Sequence, residues 1–187
     1  MNFEDSYGQY ELRVDFLPAS ALSLPGRLGM TRAPGRWGPG RSPDPEVRLR
    51  EDLAAIASHR RVRGLVTLLE REEICEIGDL AGQSRRLGLE WIHFPIVDME
   101  APKDSCAARA LVERILRTLE AGDGVVVHCW GGLGRTGTVA ASCLVARGAS
   151  PSRALEMVRA TREGAVQTAE QERFVMDFAR SSRPGDG

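Results

Sequence analysis

Residues 10–17, YELRVDFL, alternate without a break: Tyr10, Leu12, Val14 and Phe16 fall on one face, Glu11, Arg13 and Asp15 on the other. That period of two predicts a half-buried strand. Further along, Leu49, Leu53 and Ile56 recur at helical spacing and predict a helix over 46–60. RGLVTLLE, 63–70, reads as a short buried strand, 71–87 as wholly or partly helical, and LEWIHFPIV, 89–97, as a second buried strand. Asp104 is placed to cap a helix with Leu111, Val112, Ile115, Leu116 and Leu119 on its apolar face, ending near Gly122. VVVH, 125–128, is a continuous apolar run suited to a central strand covered on both faces.

A helix over 136–147 then presents Val139, Ala140, Cys143 and Leu144 to the sheet, with Gly137 permitting close approach. Ser150 and Pro151 occupy preferred cap and first-turn positions of another helix. Thr168-x-x-Gln171 reads as a capping box opening a last helix, whose core face is Phe174, Val175 and Phe178. The alternation predicts an α/β fold, a central, mainly parallel sheet flanked by helices. Between 24 and 45 the chain is rich in Gly, Pro and Arg and reads as a loop with a short strand near Leu28–Thr31. Its role is open, a flap over the site or a surface for a partner. The 187 residues suit one domain, with an ordered core over about 10–180 and a disordered tail at 181–187.

Composition changes this picture little. Hydrophobic content of 42% and charged content of 27% are ordinary for a globular protein. A net charge of −1 gives no reason to expect nucleic acid or an anionic membrane as partner. Lys103 is the only lysine, which carries no functional weight. No apolar run approaches the ~20 residues needed to span a bilayer. The amino terminus, MNFEDSYGQY, is acidic and polar, unlike a secretory signal. The expectation is a cytoplasmic, reducing compartment with Cys75, Cys106, Cys129 and Cys143 as free thiols. No CxxC or Cys/His ligand pattern is present, so neither metal nor other cofactor is expected.

The chemistry concentrates in Val125-Val126-Val127-His128-Cys129-Trp130-Gly131-Gly132-Leu133-Gly134-Arg135-Thr136-Gly137. A buried strand ends at a cysteine, a loop with three glycines turns, and a helix begins. The glycines permit successive N–H groups to face inward as an anion nest, and the new helix adds its unpaired amides and positive end. Arg135 supplies a planar fork for two phosphate oxygens. The same field favours thiolate over thiol at Cys129, which makes the sulfur a nucleophile for phosphorus and a phosphocysteine the intermediate.

Cys-x5-Arg, here CWGGLGR, with His128 before it and Thr136 after it, resembles the active-site loop of the protein tyrosine and dual-specificity phosphatase superfamily. HCWGGLGRTGT, FPIVDMEAP and LPGRLGMTRAPG resemble its kinase-associated-phosphatase-like branch, and the resemblance covers most of 10–180. Trp130 departs from that branch, which often has a smaller or phenolic side chain there. The resemblance implies a cysteine phosphatase fold in which Trp130, Gly131, Gly132, Leu133, Gly134 and Arg135 hold the phosphate. It makes Asp98, on a loop after the second strand, the general acid. It further implies that Thr136 stabilises the departing thiolate and that Gln167 positions water.

Plainer readings stand beside these. His128 is expected to be buried and to orient the loop through backbone hydrogen bonds, Thr136 to cap a helix, and Gln171 to serve the capping box. Asp104 rivals Asp98 as the acid but suits a cap better. Cys75, Cys106 and Cys143 read as core residues, with Cys75 also a candidate redox partner for Cys129, and His93 as structural. The expected substrate is a phosphorylated protein or peptide. The loop carries Trp130 and Leu133 but no lysine, which argues against phosphoinositides, and no segment that would deepen a tyrosine-only pocket is recognisable. A phosphoprotein-binding pseudo-phosphatase and a rhodanese-like sulfur transferase are the competing classes.

Overall fold

The computed structural model describes residues 12–38 and 40–180. The strand residues Tyr10 and Glu11 and the tail expected at 181–187 lie outside the described residues. The elements run β1 (Asp15–Phe16), α1 (Ala19–Leu22), β2 (Leu28–Thr31), α2 (Pro45–Ser58), β3 (Val62–Thr67), α3 (Arg71–Cys75), α4 (Leu80–Arg86), β4 (Glu90–His93), α5 (Ser105–Glu120), β5 (Gly124–His128), α6 (Gly134–Ala146), α7 (Pro151–Thr161) and α8 (Ala169–Arg180).

The strands form one sheet in the order β1-β2-β5-β3-β4. Among the described residues only the β1–β2 pairing is antiparallel. The expected mainly parallel α/β architecture is therefore what the chain adopts. β5 lies at the centre, and its alternation sorts two cores. Val125 and Val127 face a cluster with Val112 and Ile115 of α5, Val139 and Leu144 of α6, and Val158 and Val175 of α7 and α8. Val126 faces Leu49, Leu53 and Ile56 of α2 together with Ile77 and Leu80. A strand covered on both sides has no polar face to show, which is why VVVH is apolar throughout.

Several caps hold where expected. Asp104 accepts from the Ala107 amide at 2.9 Å and Ser150 from the Arg153 amide at 3.3 Å. Thr168 and Gln171 exchange the two bonds of a capping box at 3.2 and 3.3 Å. Differences are local. The segment 71–87 splits into α3 and α4. The predicted second strand is a ladder strand over Glu90–His93; beyond it the Phe94 and Ile96 amides still donate to Thr67 O at 2.9 Å and Leu68 O at 3.1 Å, at and just past the end of β3. Among the described residues near the amino terminus, ladder pairing covers only Asp15–Phe16, and Asp15 on the predicted polar face is largely enclosed, with its side chain 9% exposed. The short strand foreseen at Leu28–Thr31 is fully buried beside β5.

Thr31, Thr67 and His128 lie in register at the carboxyl ends of β2, β3 and β5. The loops that follow these parallel strands share one edge, the position where open α/β sheets bind ligands.

Candidate active site

Residues 129–133 bridge β5 and α6. Cys129 is 3% exposed, and the Gly132 amide donates to its Sγ at 3.3 Å. Gly132 has φ +73, and a Cβ there would lie 2.2 Å from the Thr31 carbonyl oxygen, so only glycine fits. α6 begins at Gly134, two residues earlier than its apolar pattern suggests, which puts Arg135 in the first helical turn rather than in the loop. Gly137 brings that turn against the backbone of Val166, where an added Cβ would meet the Val166 nitrogen at 2.8 Å.

Carbonyl groups of this loop are each held by a donor. Cys129 O lies 3.3 Å from His128 Nδ1. Trp130 O accepts from the Ala33 amide at 3.0 Å and Arg36 Nη1 at 3.2 Å. Gly131 O and Gly132 O accept from Arg162 at 3.2 and 2.8 Å, and Leu133 O from the Gly137 amide at 2.8 Å. In a trans peptide the N–H points opposite to the C=O. The amides of residues 131–134 are accordingly turned to the other side of the loop, and the Gly132 contact shows that this side holds the sulfur.

His128 is fully buried, as expected, and touches the loop backbone. A carbonyl only accepts, so the proton on Nδ1 belongs to the bond with Cys129 O, and Nε2 accepts from Thr67 Oγ1 at 2.8 Å. Trp91 Nε1 donates in turn to Thr67 Oγ1 at 2.8 Å. Burial outweighs the carbonyl bond and pushes the His128 pKa down to about 4. The imidazole is neutral at physiological pH.

Arg135 is 1% exposed. Its Nη1 and Nη2 meet Glu73 Oε2 and Oε1 at 2.7 and 2.8 Å, while Nη1 also donates to Ile96 O at 3.0 Å. Nη2 lies 2.9 Å from Asp98 Oδ1. Burial alone would lower the Arg135 pKa; the Glu73 hydrogen bonds and the Cys129, Glu73 and Asp98 charges overcome it and raise it. For Glu73, burial raises the pKa, but the Arg135 and Glu70 bonds prevail and hold the carboxyl below its ordinary value. Among the described residues, Arg135 Nε and Thr136 Oγ1 are buried without a hydrogen-bond partner. Thr136 thus makes no bond to the sulfur, and it does not cap α6 either, since the cap position is Leu133.

Asp98 sits on an exposed turn, its side chain 66% exposed, and is the predicted acid that reaches the arginine. Asp104 is occupied as a helix cap. Gln167 is exposed and its side chain lies over Gly134, where an added Cβ would fall 2.9 Å from its Oε1. Gln171 is buried and does more than close a capping box: its Nε2 donates to Glu100 O at 3.1 Å, and its Oε1 accepts from the Gln167 amide at 2.9 Å. It ties the Asp98 turn to the Gln167 turn. Trp130 is half-buried against the α2-side cluster, with the Arg36 guanidinium 5.0 Å from its ring centre. His93 Nε2 donates to Leu69 O, just past the end of β3, at 2.8 Å, in keeping with a structural role.

The segment after β2 contributes Arg32 and Arg41 around buried Asp52, which lies 2.7 Å from Arg41 Nη1, 3.6 Å from Arg32 Nη1 and 2.8 Å from the Gly35 amide, while Arg36 turns to Trp130. Glu73, Arg162 and this arginine segment are contributions that the sequence reading did not assign. Their only signal is charge at positions whose neighbours are remote in sequence. All four cysteines are free thiols; Cys75 is exposed, and burial pushes the Cys143 thiol up to about 12. Among the described residues no group of three or more His, Cys, Asp or Glu is placed to hold a metal ion.

Comparison with known proteins agrees with this geometry. A family model described as a polymorphic toxin system DSP-PTPase phosphatase matches residues 42–149, a span that includes Glu73, Asp98, Cys129 and Arg135. Proteins named cyclin-dependent kinase inhibitor 3 from Rattus norvegicus and Homo sapiens are 26% and 25% identical over 175 residues, covering 91% of this chain and 80% of theirs. The crystal structure of kinase associated phosphatase with its catalytic cysteine changed to serine superposes with a TM-score of 0.81 at 24% identity, covering 92% of this chain and 97% of that one. Tk-PTP in its active form gives a TM-score of 0.71 at 28% identity, with coverages of 89% and 96%. PTPMT1 in complex with PI(5)P shares the fold, with a TM-score of 0.69 at 20% identity over 82% and 90% of the two chains. With a cysteine at the end of the central strand, the Gly132 amide on its sulfur and an arginine in the next turn, the chain belongs to the DSP-PTPase family of protein tyrosine and dual-specificity phosphatases.

Proposed function

We propose that this phosphatase hydrolyses phosphate esters of protein side chains in two steps through Cys129. The observation that carries the reading is the Gly132 amide set on the Cys129 sulfur, with Arg135 in the adjoining helical turn. A phosphate dianion enters the cradle of residues 130–134 and takes donors from the inward amides and from Arg135, whose Nε has no other partner among the described residues. The Glu73 pair leaves the guanidinium plane little freedom, so the fork is already aimed when the anion arrives.

In the first step the thiolate attacks phosphorus, the S–P bond forms and the P–O bond to the substrate breaks. Asp98 gives its proton to the departing oxygen. In the second step Gln167 orients water, Asp98 takes a proton from it, and the S–P bond breaks to return the thiolate and inorganic phosphate. Thr136, whose hydroxyl is buried without a partner among the described residues, bonds the sulfur as it leaves. His128 fixes the start of the loop through Cys129 O.

The substrate proposed is phosphotyrosine, phosphoserine or phosphothreonine in a protein or peptide. The loop has no lysine to meet the added charge of an inositol phosphate. The comparisons favour neither sulfur transfer nor non-catalytic binding. We place the enzyme in the cytoplasm as a single domain: a nucleophilic thiol works only while reduced, and no helix among the described residues is long and apolar enough to cross a membrane. Phosphate release from peptides carrying each phosphorylated residue, beside a phosphoinositide, tests this. The expected result is turnover of peptides and none by Cys129→Ser; faster release from the lipid than from every peptide would overturn the protein-substrate reading.

A further inference from the structure

We propose that Arg162 is a positioning residue that keeps the phosphate cradle turned inward, and that Asp15 aims it. The inference rests on the two-step reading above, and its basis is which bonds hold which peptide plane. Trp130 O is fixed by Ala33 and Arg36 and Leu133 O by Gly137, all local or doubly held. The two planes between them belong to Gly131 and Gly132. Gly131 has open space where a Cβ would be, and neither residue has a side chain to resist rotation of its peptide.

Both carbonyls of those planes are taken by one guanidinium. Arg162 Nε donates to Gly132 O at 2.8 Å and Nη2 to Gly131 O at 3.2 Å. Because N–H and C=O oppose each other across a trans peptide, holding these oxygens outward holds the amides of Gly132 and Leu133 toward the sulfur. Releasing them would let the peptides turn and bring carbonyl oxygens to the anion, which repels them.

The third nitrogen fixes the direction of the fork. Arg162 Nη1 lies 2.6 Å from Asp15 Oδ2, with side-chain exposures of 16% and 9%. Arg162 is able to reach because α7 stops at Thr161 and the chain turns extended at φ −141°, ψ 104°. Asp15 stands on edge strand β1, beside β2 and its burial at the head of the sheet. A strand at the amino terminus, the end of α7 and the catalytic loop thus meet in one guanidinium. A lysine offers a single point charge and no fork, so it replaces only part of this.

The test uses the full chain and four proteins: wild type, Arg162→Gln, Arg162→Lys and Asp15→Asn. Vanadate, which imitates the five-coordinate phosphorus of the reaction, is titrated calorimetrically, and kcat and KM are measured with an aryl phosphate. Urea unfolding is followed in parallel. Arg162→Gln is expected to weaken vanadate binding about tenfold or more and to lower kcat as well as kcat/KM. Arg162→Lys should recover part of the loss, and Asp15→Asn should move in the same direction by less. A folded Arg162→Gln that binds vanadate as wild type does, whatever its stability, overturns the proposal. If that variant does not fold, unchanged vanadate affinity in Asp15→Asn overturns it instead. Wild type that neither binds vanadate nor turns over would overturn the two-step reading itself, and the proposal with it.

Discussion

Arg135 and Glu73, 62 residues apart, meet as two parallel hydrogen bonds of 2.7 and 2.8 Å in a place where the guanidinium is almost wholly buried. Such a pair orients the arginine before any substrate is present, and it sets the electrostatic terms on which an anion enters.

Glu73→Gln keeps the size but removes the charge. One partner of a largely buried pair is then lost, and Arg135 is free to swing. Because Glu73 is itself about a fifth exposed (21%), solvent offsets part of the loss, and the expected cost is ~1–3 kcal/mol of stability. Vanadate affinity and kcat/KM should fall on the order of tenfold. Urea unfolding and inhibition constants read the two effects separately. The depressed Glu73 pKa has a consistent sign: its stabilisation is present above the unfolded carboxyl pKa and is lost as pH falls through the lower folded value.

Asp98→Ala should reduce kcat about 10²–10⁴-fold on substrates with poor leaving groups. Binding should persist, since the cradle is untouched and Arg135 loses its Asp98 contact but keeps its two Glu73 bonds, so that the variant retains phosphopeptide. Asp104→Ala supplies the contrast. It should cost about 1 kcal/mol through the lost cap of α5 and leave kcat unchanged. Single-turnover rates and thermal melting distinguish the two.

His128 governs stability in acid. Its folded pKa is about 4, below the usual ~6.5 of histidine. The unfolded chain therefore binds the proton more readily between those values. Stability is complete above about pH 6.5 and declines as pH falls toward about 4, by up to roughly 3 kcal/mol. His128→Asn should show a flatter dependence of the urea midpoint over that window, although it starts less stable. Equal slopes for both proteins would contradict the assignment.

Much of the site was legible because it is contiguous. Strand, cysteine, glycines and arginine follow one another from Val125 to Gly137, so one short stretch carries the geometry of an anion cradle. Asp98 was reachable by the same logic, as the end of a neighbouring strand. Glu73 and Arg162 were not. Each is one charged residue on a partly solvated helix or helix end, and such a residue reads as surface until the fold brings its partner. Asp15 misled for a related reason: period-two alternation assigns it to water, whereas the end of α7 covers it with Arg162. Thr136 follows the arginine in sequence, and its buried hydroxyl has no partner among the described residues, so adjacency alone does not say what it bonds. Boundaries slipped where the ladder ends before the apolar pattern does, as in 89–97: past His93, Ile96 is buried and gives its carbonyl to Arg135, while Val97 is exposed.

The sulfur of Cys129 as the carrier of phosphate is the claim on which the rest depends. Rapid acid quenching during turnover of an aryl phosphate, followed by peptide mass mapping, tests it most directly. The account predicts one added phosphate on the peptide containing Cys129, and neither adduct nor turnover in Cys129→Ser. Phosphate on another residue, or wild-type turnover by Cys129→Ser, would contradict it.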